Sequence, residues 1–235
     1  MTMTQRLAIF DLDNTLLTGD SEVLWLAWLR EQGLLDAAMA ERNADMDRRY
    51  HAGTVAPAEF CSFYAALFAG RTPQQWQPLL DGWFASVIAP RIPEAAHALV
   101  QRHRAAGDVL VLSTASSRIL AEPSAQALGF EHLIATELEL LPDGRLAGRT
   151  EGTLNMREGK VQRLHTWLAA RGSDAEAALA GASFHSDSIN DLPLLQAVGH
   201  PVVVDPDPRL LAEAQARAWP VLRLEREAAI SIENP

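Results

Sequence analysis

The chain has 235 residues, of which 48% are hydrophobic and 21% are charged, so a disordered, fibrous or low-complexity protein is excluded. The formal net charge of −10 argues against a nucleic-acid partner, because a phosphate backbone is negatively charged as well. The single cysteine, Cys61, cannot form an internal disulfide. Residues 1–10 lack the apolar run of a signal peptide, and no 18-residue apolar stretch occurs. We therefore expect a cytoplasmic protein without a membrane segment.

Short apolar runs predict the strands of a parallel sheet. Residues 7–10 are apolar without alternation, which is typical of a strand buried on both faces. Further strands are predicted at residues 109–112, 133–135, 183–184, 201–204 and 221–222. Helices are predicted at residues 93–106, 118–128, 159–170, 191–198 and 208–218. This alternation predicts a doubly wound α/β fold with a parallel sheet.

Two stretches interrupt the alternation. Roughly ninety residues separate the first two strands, and they read almost entirely as helix, which is far more than a crossover requires. We therefore predict an α/β core formed by residues 1–17 and 91–235, with an inserted all-helical module at residues 18–90. The second interruption is residues 137–149, where a Pro-Asp-Gly turn between two extended runs predicts a hairpin.

Paired acids follow the first predicted strand. Asp11 and Asp13 lie two residues apart in the sequence Asp-Leu-Asp-Asn-Thr. Ligands of open α/β sheets collect outside the carboxyl ends of the strands. Two carboxylates placed there repel each other, and a hard divalent cation such as Mg²⁺ would hold both ionised. An Asx turn or a helix cap is the alternative interpretation.

Hydroxyl groups and a lysine follow later elements of the core. Residues 113–117, Ser-Thr-Ala-Ser-Ser, come just after the predicted second strand and could bind an anion, or could simply cap the next helix. Lys160 lies at the start of a predicted helix, where the helix dipole disfavours a cation unless a negative group is nearby. A solvated surface lysine is the alternative for Lys160.

A second acidic group follows the strand predicted at residues 183–184. Asp187 and Asp191 lie four residues apart with Asn190 between them, although Asn190 or Asp191 could merely cap a helix. Four strand ends thus carry paired acids, hydroxyls, a lysine and more acids, in that order. Together they supply a carboxylate nucleophile, an acid/base, donors for phosphoryl oxygens and ligands for magnesium. The combination predicts phosphoryl transfer through an aspartyl phosphate.

These motifs resemble those of the haloacid dehalogenase-like phosphohydrolases, over about residues 7–205. The resemblance is to the subgroup around phosphoserine phosphatase, with a helical cap between the first and second motifs. It implies that Asp11 is the nucleophile and a magnesium ligand. It also implies that Asp13 is the general acid and base, with its backbone carbonyl on the metal. Thr114 matches the hydroxyl that holds a phosphoryl oxygen, and Ser113 is the alternative if the strand shifts by one residue.

The later motifs extend the same resemblance. Lys160 matches the lysine that neutralises the nucleophile and the phosphoryl group. Asp187 matches the carboxylate that binds magnesium, and Asp191 the one that supports the waters of the metal. Asn190 resembles an asparagine that faces the phosphate or the substrate. The implied cofactor is Mg²⁺, and the implied partner is a small phosphorylated metabolite.

Three further residues are candidates for contact with the substrate. Asp20 stands where phosphoserine phosphatases tend to present a glutamate to the substrate amine. It could bind an ammonium group or cap the helix that begins near Ser21. Arg48 and Arg49 in the inserted module could bind a carboxylate or a second anionic group, or could form a solvated helix face.

The leading interpretation is a magnesium-dependent phosphatase for a small metabolite such as a phosphoserine-like or histidinol phosphate-like ester. A phosphotransferase or mutase on the same fold is the first alternative. A receiver-like regulatory domain that accepts a phosphoryl group is the second, although the long helical insertion argues against it.

Overall fold

The structure is a computed structural model, and it describes residues 5–35, 37–51 and 55–226. Within these ranges the strands are β1 (Leu7–Phe10), β2 (Val109–Ser117), β3 (His132–Leu140), β4 (Leu146–Glu151), β5 (Ser183–Ser186), β6 (His200–Val204) and β7 (Val221–Leu222). The α-helices are α1 (Ser21–Glu31), α2 (Ala37–His51), α3 (Pro57–Ala66), α4 (Pro73–Trp83), α5 (Glu94–Ala105), α6 (Arg118–Leu128), α7 (Glu158–Ala169), α8 (Ala175–Ala180), α9 (Leu192–Ala197) and α10 (Pro208–Ala216). A π-helical turn, Phe84–Ile88, follows α4.

The strands form one sheet in the order β4-β3-β2-β1-β5-β6-β7. Neighbouring strands run parallel, except that β3 and β4 form an antiparallel hairpin. The chain leaves β1 toward β2 on one side and later reaches β5 on the other, so the strand order reverses at β1. Such a reversal opens a crevice at the carboxyl ends of the central strands. The predicted doubly wound α/β fold is confirmed.

Both faces of the sheet are covered by helices, and β1 contributes to both sides. Ala8 and Phe10 belong to one hydrophobic cluster, which also contains residues of α1, α5 and α6. Leu7 and Ile9 belong to the other, with residues of α7, α9 and α10. All four side chains are buried, which explains why this strand shows no polar alternation.

Helices α1–α4 lie between β1 and α5 and have an aromatic centre. The ring of the fully buried Trp25 stacks on Trp28 and on Phe68, at centroid distances of 5.4 and 5.8 Å. The segment after α3 also contacts the hairpin. Gly148 in β4 has a φ of +75°, and a Cβ built there would lie 2.7 Å from the Cβ of Ala69. The close approach of these two segments therefore requires a glycine at position 148.

Several sequence-based predictions can be scored directly. The strands at residues 7–10 and 221–222 and the helix at residues 118–128 are confirmed at both ends, and so is the hairpin between β3 and β4. The prediction that residues 113–117 follow the second strand is wrong, because β2 continues through Ser117, which pairs with Thr136 after a register shift. Helix α8 was not predicted, because six residues carry too little periodicity to detect.

In the part of the chain that the structure describes, the helices are too short or too polar to cross a bilayer. The cytoplasmic location and the absence of a nucleic-acid partner stay predictions.

Candidate active site

A cavity of about 610 Å³ lies beyond the carboxyl ends of β1, β2 and β5. The chain reaches the cavity from the segment between β1 and α1, from α3, from the end of β2, from the start of α7, from the loop after β5 and from the start of α10. The polar residues that line it include Asp11, Asp13, Asp20, Glu22, Ser116, Lys160, Asp187, Asn190 and Asp191. The strand ends therefore bring together most of the residues singled out in the sequence.

Lys160 links the first and last acidic motifs. It lies in the first turn of α7 with 2% of its side chain exposed. Its Nζ donates hydrogen bonds to Asp11 Oδ1 at 2.8 Å and to Asp191 Oδ2 at 2.7 Å. Burial alone would lower the pKa of Lys160, but the two carboxylates outweigh it and raise that pKa above its ordinary value. The lysine is therefore charged and fixed in place, which excludes the solvated surface alternative.

Asp11 is held directly beyond β1. Its backbone N–H donates to the carbonyl of His185 in the neighbouring strand at 2.9 Å. While Lys160 holds Oδ1, the hydroxyl of Thr15 lies 3.5 Å from Oδ2. Burial, opposed in part by Lys160, raises the pKa of Asp11 to about 7. Oδ2 is the less engaged oxygen and is available to react.

Asp13 is surrounded by hydrogen-bond donors. Its Oδ1 accepts the backbone N–H of Ser21 at 2.8 Å, and its Oδ2 accepts the hydroxyl of Ser116 at 2.5 Å. Burial, together with the negative charge of Asp20, raises the pKa of Asp13 to about 6. A carboxyl group with such a pKa can give up and regain a proton near neutral pH.

The two candidate hydroxyls of β2 have different surroundings. Thr114 is fully buried, and its Oγ1 lies 3.5 Å from Asp13 Oδ2. Ser113 Oγ instead accepts a hydrogen bond at 3.1 Å from Nδ2 of the buried Asn155. The same Nδ2 donates to the carbonyls of Thr114 and Ile134 at 2.9 and 2.8 Å. Asn155 thus holds the end of β2, and Thr114 is the hydroxyl of the two that lies near Asp13.

Asp187 is tied to the first motif through Thr15. The Thr15 hydroxyl donates to Asp187 Oδ1 at 3.0 Å and accepts the backbone N–H of Asp187 at 3.1 Å. Burial, with the negative charge of Asp11, raises the pKa of Asp187 to about 8. Asp191 accepts the hydroxyl of Ser186 at 2.7 Å as well as Lys160, and its carboxylate does not cap α9.

The donors at this edge fit a hard divalent cation. Among the residues described, no three His, Cys, Asp or Glu side chains are grouped so that they alone would hold a metal ion. The predicted ligand set needs only two carboxylates, Asp11 and Asp187, because Asp13 would contribute its backbone carbonyl. All three are oxygen donors, which Mg²⁺ prefers. Burial raises the pKa of Asp11 and of Asp187, and the negative charge of Asp11 adds to the effect on Asp187, so a cation held between the two would stabilise their ionised forms.

Two further predicted residues, Asp20 and Asn190, also lie at the cavity. Asp20 caps α1, since its Oδ1 accepts the backbone N–H groups of Glu22 and Val23 at 2.9 and 3.1 Å. Asn190 lines the cavity, and its Oδ1 accepts a hydrogen bond from Arg157 at 3.3 Å.

The structure does not bring Arg48 or Arg49 to the cavity. Arg48 is 70% exposed and pairs with Asp45 at 3.0 Å, while Arg49 forms a two-bond ion pair with Glu59 at 2.5 and 2.7 Å. Nearby acids in α2 and α3 engage both guanidinium groups. The proposed contact between these arginines and the substrate therefore has no support in this geometry.

Four residues with direct contacts to the site have no individual role in the sequence-based prediction. Thr15 lies within the first motif, and Ser116 belongs to the hydroxyl group at residues 113–117, whose predicted role was anion binding or helix capping. Glu22, which lines the cavity, and Asn155, which orients β2, carry no local sequence signal.

Comparisons with known proteins agree with this geometry. The family model of the haloacid dehalogenase-like hydrolases matches residues 8–196. A histidinol-phosphatase from Neisseria meningitidis serogroup C is 38% identical over 94% of this chain and 100% of the relative. A protein of unknown function from Bordetella pertussis Tohama I has a crystal structure with a TM-score of 0.88, 42% identity and coverage of 94% of this chain and 99% of that one. A substrate-bound phosphoserine phosphatase shares the fold, with a TM-score of 0.65, 17% identity and 95% coverage of both chains.

The chain belongs to the haloacid dehalogenase-like hydrolase family. Within that family its likeness is to the phosphatases of the phosphoserine phosphatase-like subgroup, so the predicted enzyme class, a phosphatase, is confirmed.

Proposed function

We propose that this chain is a magnesium-dependent phosphomonoester hydrolase that acts on a small metabolite through an aspartyl phosphate. The observation that carries the proposal is the pair of hydrogen bonds from Lys160 to Asp11 and Asp191, at 2.8 and 2.7 Å. These hydrogen bonds bring together Asp11 and Asp191, which are 180 positions apart in the sequence, at one buried point beside the cavity. Such pre-positioned charge is what phosphoryl transfer requires from a protein.

In the first step, Oδ2 of Asp11 attacks phosphorus while the ester P–O bond breaks. Asp13 gives its proton to the departing oxygen, which leaves as an alcohol. In the second step, Asp13 takes a proton from water, and the water oxygen attacks phosphorus. The bond to Asp11 then breaks, which releases inorganic phosphate and restores the carboxylate.

Other residues hold the charge that develops on the phosphoryl oxygens. Lys160 neutralises Asp11 and one phosphoryl oxygen, and Thr114 donates a hydroxyl to another. Asp11, Asp187 and the carbonyl of Asp13 would hold Mg²⁺, which when bound supplies positive charge to the phosphoryl group. Asp191 keeps Lys160 oriented, and Asn190 faces the incoming ester at the mouth of the cavity.

Residues 18–90 act as a cap over this site in the same proposal, and residues 1–17 and 91–235 form the core. Support comes from α3, whose Phe60 and Cys61 line the cavity together with residues of the strand ends. A cap in this position would shield the reacting phosphorus from bulk water and contact the leaving group.

The histidinol-phosphatase from Neisseria meningitidis suggests the class of substrate. Because a histidinol-phosphatase matches 94% of this chain over the whole length of that relative, we propose a phosphorylated amino alcohol or amino acid as the substrate. Histidinol phosphate and phosphoserine are the first two esters to test.

The test measures inorganic phosphate released from a panel of phosphorylated amino acids, alcohols, sugars and nucleotides. Enzyme stripped of metal by a chelator is compared with the same enzyme after Mg²⁺ is returned. We expect release without any added acceptor, lost on stripping and recovered with Mg²⁺. Transfer only to an added alcohol would indicate a phosphotransferase instead. An aspartyl phosphate that persists without turnover would indicate a receiver-like domain.

A further inference from the structure

The mouth of the cavity carries two arginines that the proposed mechanism does not use. Arg157 and Arg209 both line the cavity and are exposed to solvent, as is Asn190. Arg157 Nε donates to Asn190 Oδ1 at 3.3 Å. Within residues 5–35, 37–51 and 55–226, neither guanidinium group forms an ion pair. Both groups can therefore pair with an anion that enters from solvent.

Asp207 holds Arg209 beside the loop that also contains Asn190. The two carboxylate oxygens of Asp207 accept backbone N–H groups, Oδ2 that of Ile189 at 2.7 Å and Oδ1 that of Arg209 at 2.8 Å. The start of α10 is thus fixed against the residue that precedes Asn190. Because backbone groups occupy the carboxylate of Asp207, the side chain of Arg209 stays unpaired. Arg157 and Arg209 are therefore both anchored to the loop after β5.

The backbone at Arg157 is strained. Its φ is +50° and its ψ is −127°, in a turn that the N–H of Gly159 closes by donating to the carbonyl of Met156 at 2.9 Å. A positive φ at this position of a turn favours glycine. Strain of this kind is concentrated at functional sites. Backbone preference does not explain an arginine here, whereas a role for its guanidinium group at the mouth does.

Both arginines lie at the N-terminal end of a helix. Arg157 directly precedes α7, and Arg209 is the second residue of α10. The helix dipole places positive potential at an N-terminus, which disfavours a cation there and favours an anion. The two guanidinium groups and the two helix ends together make the mouth positively charged.

Positive charge is scarce in the rest of the cavity. Among the residues that the structure describes, seven acidic and three basic side chains line it, and the third basic side chain, Lys160, is shared between Asp11 and Asp191. The whole chain has a formal net charge of −10. A phosphate monoester is mostly a dianion near neutral pH, so the protein as a whole repels it. The mouth offers an approaching ester unpaired positive charge.

We propose that Arg157 and Arg209 form a cationic entrance that captures the phosphate dianion of the ester before it reaches Lys160. This inference rests on the proposed phosphatase function and adds two residues that determine substrate capture. The phosphate would pair first with the guanidinium groups and then move inward. Because Lys160 and Thr114 would hold the phosphoryl oxygens during the reaction, the two arginines should affect kcat/KM far more than kcat.

The test follows kcat/KM for p-nitrophenyl phosphate while KCl raises the ionic strength from about 0.02 to 0.3 M, with Mg²⁺ fixed at saturation. Salt screens charges that are exposed to solvent, so the wild-type value should fall about fivefold or more. Arg157→Gln and Arg209→Gln should each lower kcat/KM at low salt by about threefold to tenfold and weaken its dependence on salt. In both variants kcat should change by less than about twofold.

Three further variants separate charge from structure. Arg217→Gln removes the same charge just beyond the far end of α10, outside the cavity lining, and should keep the wild-type salt dependence. Arg157→Lys keeps a positive charge and should retain most of kcat/KM at low salt. Arg157→Gly relieves the strain at positive φ, so it should melt no lower than wild type while it loses as much kcat/KM as Arg157→Gln.

Failure of the inference is distinct from failure of the proposed function. The same salt dependence in wild type and in both Gln variants would overturn the entrance and leave the phosphatase intact. A fall in kcat as large as the fall in kcat/KM would overturn it too, since the arginines would then act in the chemical step. An effect on phosphoserine alone would indicate contact with the carboxylate of the leaving group and would overturn capture through the phosphate. Absence of phosphate release from every ester by wild type would overturn the proposed function itself.

Discussion

Two walls of the cavity differ in how their side chains are held. The strand-end wall consists of Asp11, Asp13, Lys160, Asp187 and Asp191, and each of these side chains has hydrogen bonds to at least one distant element. The insertion wall consists of Glu22, Val55, Phe60 and Cys61. It is mostly apolar, and Glu22 accepts a hydrogen bond from the backbone of Ser117.

This difference indicates a division of labour. A connected network of buried hydrogen bonds holds the reacting atoms in fixed positions. Removing one side chain of the network leaves its partners buried without hydrogen bonds, which is unfavourable. An apolar wall tolerates substitution better and mainly sets which leaving groups fit. Changes in the strand-end wall should therefore reduce turnover for every ester, whereas changes in the insertion wall should alter the ratio between esters.

The largest effect is expected for Asp11→Asn. The amide has the same shape but cannot act as the nucleophile, so turnover should fall at least about 1,000-fold for all esters. Phosphate release and thermal melting measure the two consequences. Asp81→Asn, an exposed position in α4, is the control and should keep wild-type turnover. Near-normal turnover in Asp11→Asn with a native melting curve would remove Asp11 from the nucleophile role.

A somewhat smaller effect is expected for Lys160→Met. The change leaves Asp11 and Asp191 buried without their cation, so the free energy of unfolding should fall by about 3–5 kcal/mol. Turnover should fall about 100-fold or more, because the phosphoryl charge is no longer neutralised. The double variant Lys160→Met/Asp191→Asn removes one of the stranded charges. It should regain part of the stability, measured by urea unfolding, but none of the turnover. Recovery of turnover would assign Lys160 a structural role only.

The crowded acids of the strand-end wall also predict how stability depends on pH. Because the folded-state pKa values of Asp11 and Asp187 are raised to about 7 and 8, the folded metal-free protein binds more protons than the unfolded chain. The free energy of unfolding should then decrease as the pH rises from 6.5 to 8.5, by up to about 1.4 kcal/mol per pH unit for each proton. This range lies above the region where His185, whose pKa burial lowers to about 3, acts in the opposite direction.

Urea unfolding of the chelated protein at several pH values measures this slope. Mg²⁺ should flatten it, since a cation stabilises the ionised acids. Asp187→Asn should flatten it without metal. If the free energy of unfolding of the chelated wild type did not change over this pH range, the pKa values of Asp11 and Asp187 would not be raised as the structure indicates.

Much of the strand-end wall could be predicted from the sequence, for a simple physical reason. Parallel strands deliver their carboxyl ends to one edge, so residues that directly follow separate apolar runs must meet there. Asp11, Lys160 and Asp187 were found in this way. The extension of β2 through Ser117 could not be, because it depends on pairing with β3 and not on local apolar residues.

Residues that act through distant contacts had no local signal. Glu22 reads as an ordinary acid in the first turn of a helix, and Asn155 reads as a loop residue. Only the fold shows that one faces the cavity and the other binds two strands through its side-chain amide. Arg48 and Arg49 illustrate the opposite error, since their charge suggested an anion site while acids on α2 and α3 already pair with them.

The smallest expected effect on turnover is for a substitution of Arg226, which holds the loop after β1. Arg226, with 19% of its side chain exposed, donates to the carbonyls of Asn14 and Thr15 at 2.8 and 2.9 Å. It also donates to Asp205 and to the hydroxyl of Thr18, both at 3.0 Å. These bonds hold the loop after β1, in which Asn14 has a φ of +57°, a left-handed conformation that is unfavourable for a residue with a side chain. The loop must keep this shape for Thr15 to contact Asp187.

Arg226→Ala should therefore lower kcat by less than about tenfold and leave the preference between esters unchanged, because the loop loses a few partly buried hydrogen bonds but keeps its own network. Arg223→Ala is the matched control. Arg223 is 59% exposed and lies 3.7 Å from the same Asp205, and among the described residues it forms no hydrogen bond to the loop after β1. If both variants lower kcat equally, the effect comes from the charge near Asp205. If Arg226→Ala changes the preference between esters instead, the two walls are not independent, and the division between them fails at this loop.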